Sequence, residues 1–298
     1  MNALVTGAEG VVGRWLVSHL RASDDRVTPL DHASLDVTDS AAVAERVSAE
    51  RPEAIYHLAA ITSEQTIRRD PLGAYRVNVL GTVNLLEAVR RHAPQCAVLV
   101  PGSAQVYGAP APDDLPLTED RPLHPCHHYA ASKAAQEACA QAYAAAHRIR
   151  ALITRSFNHT GPGQSPDFLV PSLAVQILRG GRVEVGNLDV ARDFTDVRDI
   201  VRAYRLLVLR GEPGLPYNVC SGRAVTIRWI LELLADQAGV RVEPVVEAAR
   251  VRPEEPLELR GSHARLTSAT GWEPEIPLAR TLADVLGSLR AENRCGPS

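Results

Sequence analysis

Lysine is almost absent from this chain. Lysine and arginine together number 32 in 298 residues, and one position alone, Lys133, is a lysine. Phenylalanine is nearly as scarce, confined to Phe157, Phe168 and Phe194. The five cysteines (Cys96, Cys126, Cys139, Cys220 and Cys295) are odd in number and scattered. That excludes a framework in which all are paired and fits free thiols in a reducing compartment. No apolar run approaches the ~18 residues of a membrane span. Met1 to Thr6 already reads as strand, with no basic or long apolar segment ahead of it. These features predict a cytoplasmic protein with no membrane partner. The net charge of −3 offers no general attraction to nucleic acid or anionic lipid. What is present is ordinary: 45% apolar and 22% charged residues, enough for one large domain or two intimate ones with a full core.

The lone lysine stands in Tyr129-Ala130-Ala131-Ser132-Lys133. The segment from Tyr129 is Ala-rich, with no Gly or Pro before His147, and reads as helix. Tyr129 and Lys133 then share one helical face. An ammonium beside a phenol favours the phenolate and lowers a pKa that starts at about 10. A tyrosine so tuned passes protons at neutral pH. A chain that otherwise writes its cations as Arg keeps here a compact donor with a movable pKa.

The chain opens on an apolar run, Ala3 to Thr6, then Gly7-Ala8-Glu9-Gly10-Val11-Val12-Gly13, then helical periodicity through Trp15, Leu16 and Leu20. Strand, glycine turn and helix in that order let Gly7, Gly10 and Gly13 bring backbone against a pyrophosphate at the helix N-terminus. A second strand, Arg26 to Leu30, ends at Asp31, placed to accept from an adenosine ribose hydroxyl. That carboxylate repels a 2′-phosphate, so the expectation is NAD(H) ahead of NADP(H). Asp36 is a candidate for an adenine edge, and Asp39 for the cap of the helix beginning near Ala41. A third strand, Ala54 to Ala60, closes on small residues, with Ala59 where a cofactor lies against backbone. A long helix from Asp70-Pro71 carries Asn78, either a holder of water and backbone beside the cofactor or a polar helix face. A fourth strand from Ala97 leads to Ser103 at the strand end where open α/β sheets place ligands; a turn serine is the alternative. Strands alternating with helices this regularly predict an α/β fold, a Rossmann-type doubly wound parallel sheet.

Pro110 to Pro125 is a Pro-rich acidic loop suited to a lid. His124-Pro125-Cys126-His127-His128 fits no zinc spacing, so no metal is expected there. After a fifth strand, Ala151 to Arg155, come the breaker-rich Ser156 to Gln164, the Phe168–Pro171 helix start, Arg192 to Asp199 and Tyr217 to Gly222. Arg192 and Arg252 stand where loops aim guanidinium forks at a diphosphate.

With the glycine turn, Asp31, Ser103, Tyr129 and Lys133 in that order, the chain resembles the extended short-chain dehydrogenase/reductase family over residues 1–290. Ser103 lies four residues before Tyr107 of Val106-Tyr107-Gly108, as that family's catalytic Ser or Thr does. Phe157-Asn158-His159-Thr160-Gly161-Pro162-Gly163-Gln164-Ser165, Arg192-Asp193-Phe194-Thr195-Asp196-Val197-Arg198-Asp199, Tyr217-Asn218-Val219-Cys220-Ser221-Gly222, Arg252-Pro253-Glu254-Glu255-Pro256 and Gly271-Trp272 are similar to the GDP-4-keto-6-deoxy-mannose reductase subgroup of the nucleotide-sugar branch. The resemblance implies a cofactor domain of residues 1–158 with 193–220, and a smaller nucleotide-sugar-binding domain of 159–192 with 221–298. It implies Tyr129 as the acid toward a sugar C4 oxygen, Ser103 as that oxygen's second partner, and Lys133 on the nicotinamide ribose. It also implies Asn158, Arg192 and Arg252 on the diphosphate, with Phe168, Val170 and Glu255 around base and ribose.

Where the related 4,6-dehydratases carry a carboxylate two residues past their Ser or Thr, this chain has Gln105. An amide cannot take up a proton, which argues against dehydratase chemistry and leaves Gln105 as a substrate contact. His127-His128 replace the Ser-Pro common before the tyrosine. The first reading is reduction of a nucleotide-linked 4-keto-6-deoxyhexose, most like the GDP-linked sugar. The alternatives are 4-epimerisation with tightly held NAD and, less favoured, GDP-mannose 4,6-dehydration. A redox-silent dinucleotide-sensing protein would have no reason to keep Ser103, Tyr129 and the one lysine together. A homodimer through the Ala-rich helix, common in the family, is the expected assembly.

Overall fold

The apolar runs become six parallel strands of one sheet in the computed structural model, which describes residues 1–251 and 256–294. The first half runs β1 (Asn2–Thr6), α1 (Val11–Ala22), β2 (Arg26–Leu30), α2 (Ser40–Glu50), β3 (Ala54–His57), α3 (Glu64–Arg69), α4 (Pro71–Tyr75), α5 (Gly81–His92), β4 (Ala97–Ser103) and α6 (His128–His147). β5 (Arg150–Ser156), β6 (Asn158–Thr160), α7 (Leu169–Arg179), β7 (Gly181–Val185), β8 (Ala191–Asp196) and α8 (Val197–Arg210) follow. The chain ends with β9 (Pro216–Val219), β10 (Ala224–Thr226), α9 (Ile227–Ala238), β11 (Val242–Val246), β12 (Glu258–Leu259), α10 (Ala264–Thr270) and α11 (Leu278–Arg294).

The large sheet has the order β2-β1-β3-β4-β5-β9, every neighbouring pair parallel. The strands inside the edge, β1, β3, β4 and β5, are largely buried on both faces and read as mainly apolar runs, while the edge strand β2 is half exposed. Alternate residues still go to opposite sides. Ala3, Val5, Tyr56 and Leu99 join the core under α1 and α8, while Leu4, Ile55, Val98 and Val100 join the core under α2 and α5. The chain reverses direction across the sheet between β1 and β3, and the carboxyl ends of strands beside such a reversal form the ligand crevice of open α/β sheets.

A smaller sheet runs β10-β8-β12, with β6 also on β8, and β7 pairs with β11. A separate core of Leu173, Ile177, Phe194, Ile230, Leu234 and Leu282 among others lies among α7, α9 and α11. We retain the division into a cofactor unit and a nucleotide-sugar unit as a proposal, supported by these separate cores. Residues 193–196, grouped above with the cofactor unit, pair within the smaller sheet; the return to the large sheet comes with α8 and β9.

Two elements differ from the sequence reading. β3 stops at His57 rather than Ala60, because the Ala59 N–H donates to the Thr6 hydroxyl instead of to a neighbouring strand. The long helix from Pro71 contains a π-helical turn at Arg76–Leu80, with Asn78 inside it. Such turns add a residue to the helix and re-aim a side chain.

Candidate active site

The glycine turn is built by close packing. Gly7 has φ +66°, and a Cβ there would lie 2.7 Å from Ala59 N; a Cβ on Gly13 would lie 2.4 Å from Gly7 O. These two positions let α1 settle on the ends of β1 and β3. Gly10 is the N-cap of α1 and has no side chain to satisfy the first-turn N–H groups. Those donors and the positive helix end form a cradle that fits a pyrophosphate. Asp31 closes β2, its Oδ1 accepting from Ser34 N at 2.7 Å. The Ser34 hydrogen bonds hold the Asp31 carboxyl below its ordinary range, so it is an anion at neutral pH. Asp36 spends Oδ1 on Thr38 N and Thr38 Oγ1, shaping its own turn. Asp39 caps α2 through Ala41 N and Ala42 N.

Ser103, at the end of β4, accepts from Gln105 N at 3.3 Å, and its hydroxyl lies close enough to the Tyr129 phenol to favour the phenolate. α6 delivers that phenol from its first turn, where His127 caps the helix by accepting from Ala130 N at 3.3 Å. The His127 and Tyr129 rings are stacked, 6.3 Å between centroids. Burial pushes the phenol up to about 12, the nearby Tyr204 adds to this, and the Ser103 hydroxyl opposes it. The Lys133 ammonium instead donates to Pro101 O at 2.8 Å and Gln136 Oε1 at 2.9 Å, and burial lowers it to about 8. The expectation that Lys133 depresses the Tyr129 pKa is therefore corrected. The shared helical face is real, but the amine is drawn sideways by two carbonyl oxygens, and burial of an uncompensated phenol decides the sign.

Asn78 is buried and fully engaged. Its Oδ1 accepts from Ile61 N, and its Nδ2 donates to Ile61 O and Ser132 Oγ. Both amide hydrogens are thus spent on the protein, so Asn78 supports the backbone near the crevice rather than reaching a cofactor through its side chain. Gln105 is exposed beside Ser103, as a substrate contact requires. His128 meets the Tyr75 hydroxyl and ring, and Cys126 Sγ donates to His124 O. Among the described residues no group of three or more His, Cys, Asp or Glu side chains could hold a metal ion.

Asn158 lies in β6 opposite Phe194 on β8. The loop after it is hung on α1: Arg14 donates to Gly163 O at 2.7 Å and to Glu9 O, Trp15 Nε1 donates to Pro162 O at 3.0 Å, and Arg198 lies over the Trp15 ring. Phe168 is 45% exposed and open to a ligand. Val170, expected near base and ribose, is 1% exposed in the first turn of α7, where its side chain belongs to the small core with Leu173 and Phe194, leaving its backbone as the part that could meet a nucleoside. Arg192 directs Nη1 to Ala191 O and Pro256 O. Arg252 and Glu255 lie outside the described residues.

Sequence reasoning missed Tyr204, which bonds Ser156 at 2.9 Å beside the phenol. It also missed the buried pair of Arg155 and Glu137 beneath α6, with Nη2 to Oε1 at 2.6 Å. A charged residue inside an apolar strand, Arg155 in β5, was the available signal for the pair.

Against known proteins, the profile of the NAD dependent epimerase/dehydratase family matches residues 3–220. The chain belongs to this family. A relative within the family, the GDP-6-deoxy-D-mannose reductase of Pseudomonas aeruginosa, is 40% identical over 97% of both chains. The UDP-glucose 4-epimerase of Mycolicibacterium smegmatis is 30% identical over 99% of this chain and 100% of its own. Among solved structures of the family, RMD from Pseudomonas aeruginosa complexed with NADPH superimposes with a TM-score of 0.91 at 38% identity, covering 98% of this chain and 100% of that one. The fold and the NAD(P)-dependent oxidoreductase class expected from the motifs are those of the family.

Proposed function

We propose that the protein reduces the C4 ketone of a nucleotide-linked 4-keto-6-deoxyhexose with NAD(P)H, the sugar being carried on GDP. The observation that carries this reading is the Ser103–Tyr129 pair at the end of β4, with an amide and no carboxylate at Gln105. The likeness to a GDP-6-deoxy-D-mannose reductase over nearly the whole chain supports the GDP-linked sugar. When bound, the nicotinamide supplies the hydride. Tyr129, kept protonated across the neutral range, donates its proton to the C4 oxygen. Ser103 holds the same oxygen as negative charge develops on it. Lys133, with two hydrogens fixed on carbonyl groups, offers its third toward the nicotinamide ribose. Asn158, Arg192 and Arg252 take the diphosphate, and Phe168 and Glu255 the nucleoside, in this reading.

Stopped-flow loss of nicotinamide absorbance on mixing the protein with GDP-4-keto-6-deoxymannose tests the proposal, and no turnover with it would reject the substrate. NADH is expected to outperform NADPH because of the Asp31 anion, although the RMD structure holds NADPH; a kcat/KM for NADPH above that for NADH would reverse this preference. The whole-chain likeness to a UDP-glucose 4-epimerase motivates the second reading. An epimerase keeps stoichiometric NAD through purification, whereas a reductase releases it.

A homodimer and a cytoplasmic location complete the reading. Ala142, Ala145 and Ala146 are exposed on α6 and offer a small-residue face for a second copy. The free Cys96, Cys126, Cys139 and Cys220 fit a reducing compartment. Light scattering is expected to give twice the chain mass; a monomer at working concentration discards the dimer. Among the described residues no helix is long and apolar enough to cross a membrane.

A further inference from the structure

One turn beyond Lys133 lies a buried side chain that no step above uses. Gln136 Oε1 accepts from Lys133 Nζ at 2.9 Å, and Gln136 Nε2 donates to Thr82 Oγ1 at 2.8 Å. Thr82 has a single hydroxyl hydrogen, and it goes to Asn78 O at 2.7 Å. His57 Nε2 lies 3.1 Å from the same Thr82 oxygen. With the hydrogen spent elsewhere, His57 is the donor in that contact. Its other nitrogen, Nδ1, is then the acceptor for Thr6 Oγ1 at 3.0 Å, and Thr6 Oγ1 accepts from Ala59 N at 3.2 Å. Every bond from Ala59 to Lys133 has one permitted direction. The wiring needs a neutral imidazole, and burial together with the Lys133 charge holds His57 down to about 3.

The direction matters at the lysine. Turning the Gln136 amide around would set its NH2 against the ammonium and its oxygen against a Thr82 hydroxyl with no hydrogen left to give. The amide is therefore locked with its oxygen on Lys133. Pro101 O is the second acceptor. Two of the three ammonium hydrogens are fixed on groups that can only accept, and the third is the proton that titrates. The other ionisable groups around this point are Tyr129 on the same helix, neutral His57 from β3, and Glu137, which is neutralised by Arg155 from β5. β4 and α5 contribute only the Pro101 carbonyl and the Thr82 hydroxyl to the network, and the π-helical turn the Asn78 carbonyl.

We propose that Gln136 is a positioning residue: oriented through Thr82 and His57, its carbonyl keeps Lys133 charged and turned toward the cofactor side of the crevice. The catalytic relevance rests on the ketoreductase reading, but the decisive test does not need turnover. Because Lys133 is the chain's one lysine, protein grown on lysine labelled at its ε-carbon gives a single side-chain NMR resonance, assigned without further work. Its shift is followed against pH in the purified wild type, Gln136→Met and Thr82→Val. The wild-type midpoint is expected near pH 8. Loss of one acceptor in Gln136→Met lowers it by about one pH unit. Thr82→Val, which keeps Gln136 but frees its amide, moves it the same way. The same midpoint in wild type and Gln136→Met overturns the proposal; a shift in Gln136→Met without one in Thr82→Val overturns the enforced orientation. If the wild type reduces no 4-keto sugar, the functional reading fails while the resonance still reports on Gln136.

Discussion

Tyr129→Phe is expected to lower kcat by roughly 10²–10⁴-fold, the usual contribution of a placed general acid, while dinucleotide affinity changes little. The substitution removes one hydroxyl, which faces Ser103, and touches neither the glycine cradle nor Lys133. Single-turnover kinetics with the 4-keto sugar measures the first effect and a fluorescence titration with NADH the second. The pH dependence follows from the direction of each shift. A phenol raised to about 12 stays protonated through the neutral range, so it does not limit the rate there. An ammonium lowered to about 8 loses its proton within the accessible range, so the wild-type rate falls as pH rises through about 8. Turnover by Tyr129→Phe at the wild-type rate would remove this residue from the acid's role, whatever the substrate proves to be.

Glu137→Leu is expected to cost about 3–5 kcal/mol of stability, the range for breaking a buried ion pair by removing one partner. Arg155 and Glu137 side chains are 5% and 3% exposed, joined by two bonds of 2.6 and 3.0 Å. The guanidinium also donates to the Tyr107 hydroxyl and to Glu119 O, both at 2.9 Å, and lies over the Tyr107 ring. Leucine would leave this cation buried without its paired carboxylate. At roughly 2–4 °C per kcal/mol for a domain approaching this size, the melting temperature should fall on the order of 10 °C. The double variant Glu137→Leu/Arg155→Met should recover most of the loss, since an apolar pair avoids the desolvation penalty altogether. Circular dichroism melts of the three proteins decide it. A melting temperature unchanged in Glu137→Leu would mean that water reaches the arginine and that the pair holds α6 to β5 only weakly.

The parts of this molecule that sequence made legible are those set by local chemistry. Gly7, Gly10 and Gly13 announce a tight strand–helix turn because no other residue fits the contacts at Gly7 and Gly13. The inner sheet strands announce themselves because burial on both faces demands apolar runs, and Asp39 and Asp70 sit one residue before their helices as caps. Tyr129 and Lys133 are legible as neighbours because helix spacing is fixed. Their interaction was not legible, because it depends on Pro101 O and Gln136, one of which comes from another strand. The same holds for Val170, whose position in α7 is local but whose burial comes from Phe194 and Ile227 across the small core. Thr6, His57 and Thr82 are far apart in sequence, and each taken singly is an unremarkable polar residue. They become one network only once β1, β3 and α5 are assembled.

Arg14 and Trp15 tie the loop at residues 161–164 to the helix that follows the glycine turn. Exchanging that loop alone for a relative's of different conformation would cost Arg14 and Trp15 the carbonyls they now bond. A successful chimera would carry positions 14 and 15 along with the grafted loop, and Arg198 with them. In this scaffold the unit of modular exchange is a loop together with its peg.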